Sequence, residues 1–343
     1  MDSMYLYDRI AGCLIGGALG DALGYEVEFM PWELIRKKYG QIRALVLHEG
    51  KARFSDDTQM TLFTNEGLVL GYWRGKRQAT ANSMADYIYE SYLNWLKTQG
   101  EKTRSFLENE SELLKEPGLY DRRAPGNTCL GALRSGEMGT IEEPLTRSKG
   151  CGGVMRSAPA GFAPFLGNPL RIGAESAAIT HGHPGGWAPA GMLSDIVFRC
   201  IYGENASLES IIGESAEAVL KEWDQPAVRQ FAEMIADAVW MSRDEMQEVE
   251  AIHSIGGGWV GDEALAIAVY SCLKHPDDLR EALITAVNHS GDSDSTGAIA
   301  GNILGSWLGL SKIPKEWTDQ LELAEVILHQ AKRMTEAIMD HES

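Results

Sequence analysis

The stretch Met84-Ala85-Asp86-Tyr87-Ile88-Tyr89-Glu90-Ser91-Tyr92-Leu93-Asn94-Trp95-Leu96-Lys97-Thr98-Gln99-Gly100 decides the fold class. Met84, Tyr87, Ile88, Ser91, Tyr92, Trp95 and Leu96 recur at i, i+3, i+4 and i+7, the spacing that gathers side chains into one stripe of an α-helix. Asn82 stands where an N-cap is needed, Lys97 lies near the C-terminal end and Gly100 follows it. The same period runs through 170–179, 188–202, 208–223, 226–241, 262–273, 279–287, 295–308 and 321–339. Alternation of the strand type is almost absent, its best instance being Ile42 to Leu47. The expected fold is all-α, with about a dozen or more helices. Gly16, Gly20 and Gly24, and again Gly297, Gly301 and Gly305, place a small residue at every fourth position. This spacing suits two helices in close approach better than a ligand loop.

The chain has 343 residues, enough for a sizeable core, and its 44% apolar and 23% charged residues exclude disorder. No low-complexity linker or fixed repeat divides it, so residues 1–343 are expected to form one domain. Lys and Arg number 31 against 49 Asp and Glu, a net charge of −18 that repels a phosphate backbone; no nucleic-acid partner is expected. The five cysteines contain no CxxC pair and form an odd set, which points to a reducing, cytoplasmic compartment. The first 24 residues lack a basic leader, and the apolar run Ile10 to Leu19 is too short for a bilayer; neither export nor a membrane partner is expected.

The chemistry falls between helices. Ser55-Asp56-Asp57-Thr58 precedes the helical run Met60 to Leu70, and Asp292-Ser293-Asp294-Ser295-Thr296 precedes another from Gly297. Capping explains one such cluster, because Ser, Thr and Asp accept bonds from orphan N–H groups at a helix start. Two clusters with paired carboxylates also fit a site for hard cations, since four Asp in one cleft repel unless neutralised. All-oxygen donors suit Mg²⁺, Mn²⁺ or Ca²⁺ rather than zinc, and the calcium-loop pattern is missing its Gly and terminal Glu. Glu26 and Glu28 offer a further carboxylate just after Gly20-Asp21-Ala22-Leu23-Gly24, with a solvated acid as the plain alternative.

Gly-rich loops occur at Pro125-Gly126-Asn127-Thr128, Lys149-Gly150-Cys151-Gly152-Gly153 and Gly256-Gly257-Gly258-Trp259. The second, flanked by Lys149 and Arg156, suits either a diphosphate cradle or a plain turn. Gly256-x-Gly258-x-x-Gly261 lacks the preceding strand of a dinucleotide fold. Thr180-His181-Gly182-His183 supplies either a ligand-binding imidazole or a pair of turn histidines. No nucleophile elbow is present, and Cys151 is a reactive thiol only if exposed and of lowered pKa.

In this order, Arg9-Ile10-Ala11-Gly12, Gly20 to Gly24, Phe54 to Met60, Pro125 to Thr128, Gly150 to Arg156, Thr180-His181, Gly257 to Val260 with Glu263-Ala264-Leu265, and Gly291 to Gly297 resemble the motifs of the ADP-ribosylglycohydrolase family over nearly the whole chain. The resemblance implies a compact all-α fold holding two metal ions, Mg²⁺ or Mn²⁺, at the bottom of a cleft. It assigns Ser55, Asp56 and Asp57 to one ligand cluster and Asp292, Asp294 and Ser295 to the other. Glu28 matches a carboxylate on a mobile N-terminal loop, and Glu28, Asp56 and Asp57 are the candidates for moving the proton that the leaving group needs. Gly150, Cys151, Gly152, Gly153 and Met155 match the positions that hold the diphosphate of ADP-ribose, with His181 near the bound ligand. Ser55 and Ser295 stand where many members carry Thr, and Cys151 where Asn or Ser is frequent.

The activity implied is removal of ADP-ribose from arginine on a modified protein, reversing an endogenous transferase or a toxin. Serine-linked ADP-ribose, O-acetyl-ADP-ribose and another ADP-ribosylated small molecule are alternative substrates. In a different class of function, the chain is an immunity protein that occludes a partner ADP-ribosyltransferase toxin.

Overall fold

The computed structural model describes residues 2–77, 81–204 and 206–343. The described residues form fifteen α-helices and one two-stranded hairpin, Leu47–His48 against Lys51–Ala52. In chain order the helices are α1 (Ser3–Gly24), α2 (Trp32–Tyr39), α3 (Asp56–Arg77), α4 (Met84–Thr98), α5 (Asn127–Arg134), α6 (Pro169–Ala178), α7 (Pro184–Tyr202), α8 (Leu208–Glu222), α9 (Pro226–Ser242), α10 (Glu248–Ile255), α11 (Gly261–Lys274), α12 (Leu279–Val287), α13 (Ser293–Leu308), α14 (Lys315–Gln320) and α15 (Ala324–Glu342). The all-α expectation holds.

Three local expectations are corrected. The cap of α4 is Ser83 rather than Asn82: the Ser83 hydroxyl accepts from the Asp86 N–H while the Asp86 carboxylate accepts from the Ser83 N–H, a reciprocal capping box. Ile42 to Leu47 is not a strand, because the side chain of Asn288 takes both backbone groups of Ile42, and only Leu47 enters the hairpin. The run 321–339 does not begin as helix, since Leu321 bridges to Ala52 and Leu323 sits at φ 50°, so α15 starts at Ala324.

The glycine spacing is the packing device it suggested. Helices α1 and α13 run antiparallel with Gly12 against Gly305, Gly16 against Gly301 and Gly20 against Gly297. A Cβ at Gly301 would lie 2.0 Å from the Gly16 carbonyl oxygen, and one at Gly24 would lie 2.2 Å from that of Ser293. Backbone therefore touches backbone, and the end of α1 is locked beside the start of α13. Gly301→Ala is expected to cost about 3 kcal/mol or more, because rigid backbone has nowhere to move. At Gly213 in α8 a Cβ meets nothing within 4 Å, so Gly213→Ala should stabilise by about 0.5–1 kcal/mol through helix propensity. Chemical denaturation of both variants checks the pair; equal shifts would contradict the close approach.

Candidate active site

The site grows from three helix ends: the C-terminus of α1 and the N-termini of α3 and α13. Asp21, buried in α1, takes over the capping of α3. Its carboxylate accepts from the Ser55 N–H at 2.8 Å and from the Thr58 N–H at 3.0 Å, and the Ser55 hydroxyl accepts from the Asp57 N–H at 3.2 Å. The first-turn donors are thus served without Asp56 or Asp57, whose carboxylates turn into a cavity. Asp56 accepts only weakly from the Gly126 N–H, at 3.4 Å, and the buried Asp57 Oδ2 has no hydrogen-bond partner.

At α13, Asp292 is the N-cap by position, yet its side chain caps nothing. Its N–H donates to the Gly257 carbonyl at 2.8 Å, which turns the carboxylate toward the cavity. Asp294 accepts from the Ser295 N–H at 3.0 Å. Glu28 arrives from the turn after α1, where its N–H donates to the Gly24 carbonyl. Oxygens of Glu28, Asp292 and Asp294 all lie within 4.8 Å of one another, a group able to hold a metal ion. Glu26 turns away to pair with His48.

Burial and mutual repulsion set the electrostatics. Burial first, and then Asp294, raise the pKa of Asp21 to about 7. Burial, then Asp294, Asp292 and Asp56, push Glu28 up to about 10. Asp56, Asp57 and Asp292 are raised well above the usual carboxylate range by burial and then by Asp294, and Asp294 itself is raised by burial. Without cations the cluster must take up protons, and Glu28 holds one against Asp294. An orphaned buried oxygen, hard oxygen donors and unneutralised charge all fit divalent cations.

The opposite wall is the loop after Lys149. It is pinned by the Cys151 N–H donating to the Trp259 carbonyl at 3.2 Å and the Gly261 N–H donating to that of Lys149 at 2.8 Å. Gly150, Cys151, Gly152, Met155, His181 and Ser295 line the cavity together with Glu28, Asp56, Asp57, Asp292 and Asp294. Ser55 lies just behind, bonded to Asp294. Gly153 does not line it: a Cβ there would meet Ala177 at 2.8 Å, so this glycine serves packing against α6. Arg156 does not flank a cradle either. Its guanidinium is fully buried over the Tyr92 ring and donates to Thr180 and to the Ser176 carbonyl. Lys149 points to Asp262, 3.9 Å away.

Arg156 fixes the state of His181. The Thr180 hydroxyl accepts from Arg156 at 2.7 Å and is hydrogen-bonded to His181 Nδ1, 2.8 Å away, which orients the ring. Burial and then Arg156 lower the His181 pKa to about 3, keeping the ring neutral. His183 is the N-cap of α7, its Nδ1 accepting from the Gly185 N–H. At the glycine-rich turn before α11, the Gly257 and Gly258 N–H groups close on the Glu263 carboxylate.

Buried His289 holds the α12–α13 turn through Thr296 at 3.0 Å, and burial lowers its pKa to about 4. A lowered histidine contributes stability that is present above the ordinary pKa of about 6.5 and lost as pH falls toward the folded value. The stability difference between the wild type and His289→Gln should shrink by about 2 kcal/mol between about pH 7 and about pH 5. A pH series of urea melts measures it; a flat difference would mean that His289 is charged in the fold.

Sequence reasoning missed Asp21 as the remote cap, although an acid ending a glycine-rich apolar helix was a visible signal. It also missed the mouth, where Phe29 and Trp259 stack with ring centroids 5.3 Å apart. Both are exposed, at 67% and 43%, and Phe29, at a left-handed φ of 66°, lines the cavity together with Glu28.

The cavity has a volume of about 370 Å³ and an acidic floor, with glycine backbone along one side. The sequence profile of the ADP-ribosylglycohydrolase family matches residues 2–343. The chain belongs to this family. It is 27% identical over 343 residues to the ADP-ribosyl-[dinitrogen reductase] glycohydrolase of Rhodospirillum rubrum, covering 97% of this chain and 96% of that one. It is 26% identical to ADP-ribosylhydrolase ARH3 of Mus musculus, covering 92% and 87%. It is 24% identical to ADP-ribosylarginine hydrolase Tri1 of Pseudomonas putida, covering 95% and 78%. In structure it resembles a chain of an ADP-ribosylglycohydrolase-related protein complex, with TM-score 0.61 at 21% identity over 98% of this chain and 100% of the other. Like its ADP-ribosylglycohydrolase relatives the protein is an ADP-ribosyl hydrolase, an enzyme acting on a glycosidic bond. Among the described residues no helix is long and apolar enough to cross a membrane.

Proposed function

We propose that the protein releases ADP-ribose from arginine side chains of modified proteins, using two divalent cations, Mg²⁺ or Mn²⁺. Asp56, Asp57, Asp292 and Asp294, with the hydroxyls of Ser55 and Ser295, would hold them. The observation that carries this reading is the convergence of these carboxylates from opposite ends of the chain on one cavity, with Asp57 Oδ2 left unpartnered. When bound, the cations supply charge neutralisation and Lewis-acid polarisation.

The remaining work falls to the chain itself. Gly150, Cys151 and Gly152 present a low wall that a diphosphate can approach closely, and His181 adds a neutral imidazole. Glu28, on the turn after α1 and lining the cavity beside Asp294, is placed to deliver a proton to the departing nitrogen. Phe29 and Trp259 offer aromatic faces at the mouth, and a planar guanidinium stacks on such faces as a serine hydroxyl does not. The name of the Pseudomonas putida relative supports the same linkage. We take residues 1–343 as one catalytic domain working in the cytoplasm on ADP-ribosylated protein made by an endogenous transferase or a toxin.

The test is ADP-ribose release from arginine-modified and serine-modified proteins, with Mg²⁺ or Mn²⁺ and with a chelator. Metal-dependent release from the arginine conjugate is expected. Release from the serine conjugate alone would replace the linkage, and release in chelator would remove the metals from the reading.

A further inference from the structure

We propose that Arg156 is a positioning residue for the anionic half of the substrate, a buried cation that attracts the diphosphate through the glycine wall without touching it. The inference rests on the reading above of Gly150 to Gly152 as the diphosphate side of the cavity. It adds the positive charge that backbone N–H groups and a neutral imidazole do not supply.

The Arg156 side chain is fully buried, which is costly for a charge unless a carboxylate compensates it. Arg123 and Arg333 follow that rule, pairing with Glu322 and Glu66. The acceptors at Arg156 are all uncharged: the Thr180 hydroxyl at 2.7 Å, the Ser176 carbonyl at 3.3 Å, Cys129 Sγ at 3.3 Å and Met60 Sδ at 3.4 Å. Its Nε is buried without a partner, and the Tyr92 ring, centred 4.3 Å from the guanidinium carbon, offers only a cation–π contact. What stands in front of this unpaired cation is the wall. Cys129 and His181 both line the cavity, and a Cβ at Gly152 would lie 3.0 Å from Cys129 Sγ and 3.1 Å from His181 Cε1. Guanidinium, one layer of side chains, glycine backbone and cavity therefore follow in order. Across that thickness of interior, with an effective dielectric of about 20, a fixed charge changes the affinity for an anion by about tenfold or more. The acids of the floor repel phosphate, so a cation behind the wall also orients the substrate with its diphosphate away from them.

The full-length protein in saturating Mn²⁺ is titrated with ADP-ribose by calorimetry, and Mn²⁺ is titrated separately. Arg156→Gln, which keeps polar donors but no charge, should bind ADP-ribose at least about tenfold more weakly and raise KM with kcat within about threefold. Its Mn²⁺ affinity should not fall, because removing a cation cannot weaken the binding of another. Arg156→Lys, which keeps the charge but not the planar fork, should bind ADP-ribose within about threefold of the wild type. Unchanged ADP-ribose affinity in Arg156→Gln overturns the proposal. So does equal loss in the Lys and Gln variants, or joint loss of ADP-ribose and Mn²⁺ binding, either of which makes Arg156 a scaffold residue only. Should Arg156→Gln not fold, the wild type in chelator still decides: ADP should outbind adenosine by at least about tenfold, and equal affinities overturn the attraction. A wild type that binds no ADP-ribose at all removes the diphosphate wall itself, and this inference with it.

Discussion

Asp292→Asn combined with Asp294→Asn is expected to lower turnover by about a thousandfold or more, equivalent to about 4 kcal/mol of transition-state stabilisation. Asn keeps the size and one acceptor of each side chain but not the charge. Calorimetry should find divalent-ion binding lost together with turnover. The same substitutions should stabilise the protein in chelator. A buried acid whose pKa is raised in the fold binds more protons folded than unfolded, so stability falls as pH rises from its ordinary value toward the raised one. For Asp21 that window runs from the ordinary carboxylate pKa to about 7, and for Glu28 to about 10. Removing the Asp294 charge, which heads the Coulomb contributions at both groups, relieves this penalty. Thermal melts at about pH 8 should therefore place the chelated variant above the chelated wild type, with added Mn²⁺ raising only the wild type. Unchanged hydrolysis and unchanged metal binding would sink the bimetal reading.

The second large effect is expected at Glu28. Glu28→Gln keeps the hydrogen-bonding reach of the side chain but cannot supply a proton, and turnover should fall by about 10²–10⁴. Measured at saturating metal, binding of free ADP-ribose should stay within about threefold, because the loss belongs to the departing group rather than to the bound nucleotide. The split between kcat and KM is the decisive readout. A variant with normal turnover would return Glu28 to the status of a solvated loop acid.

Legibility in the sequence followed length. Helices of three turns or more, such as α4, α7 and α13, show their stripe because several repeats of the 3.6 period fit within them. Of the helices absent from the sequence reading, α2, α5 and α10 have 8 residues each and α14 has 6, too few to establish a period. Each is anchored by a few buried residues, such as Ile35 in α2 and Trp317 in α14. At the site, the paired acids of Asp56-Asp57 and Asp292-x-Asp294 could be read directly, whereas Arg156 could not. A cation beside a glycine loop reads as a phosphate partner, but packing against Tyr92 sends it into the core, where it fixes the Thr180–His181 pair instead.

From its residues alone, this protein is a helical chain with two acid clusters, a four-residue glycine spacing and an ordered set of motifs resembling one hydrolase family. These are local facts, set by periodicity and residue chemistry within a few turns. Tertiary structure decided which acids meet. The α1–α13 contact brings Glu28 within reach of Asp292 and Asp294, Asp21 frees Asp56 and Asp57 from capping, and Phe29 finds Trp259 across the mouth. No local rule carries such pairings, because each depends on how closely two distant backbones can approach, and here that distance is set by glycines that allow contact where any side chain would forbid it.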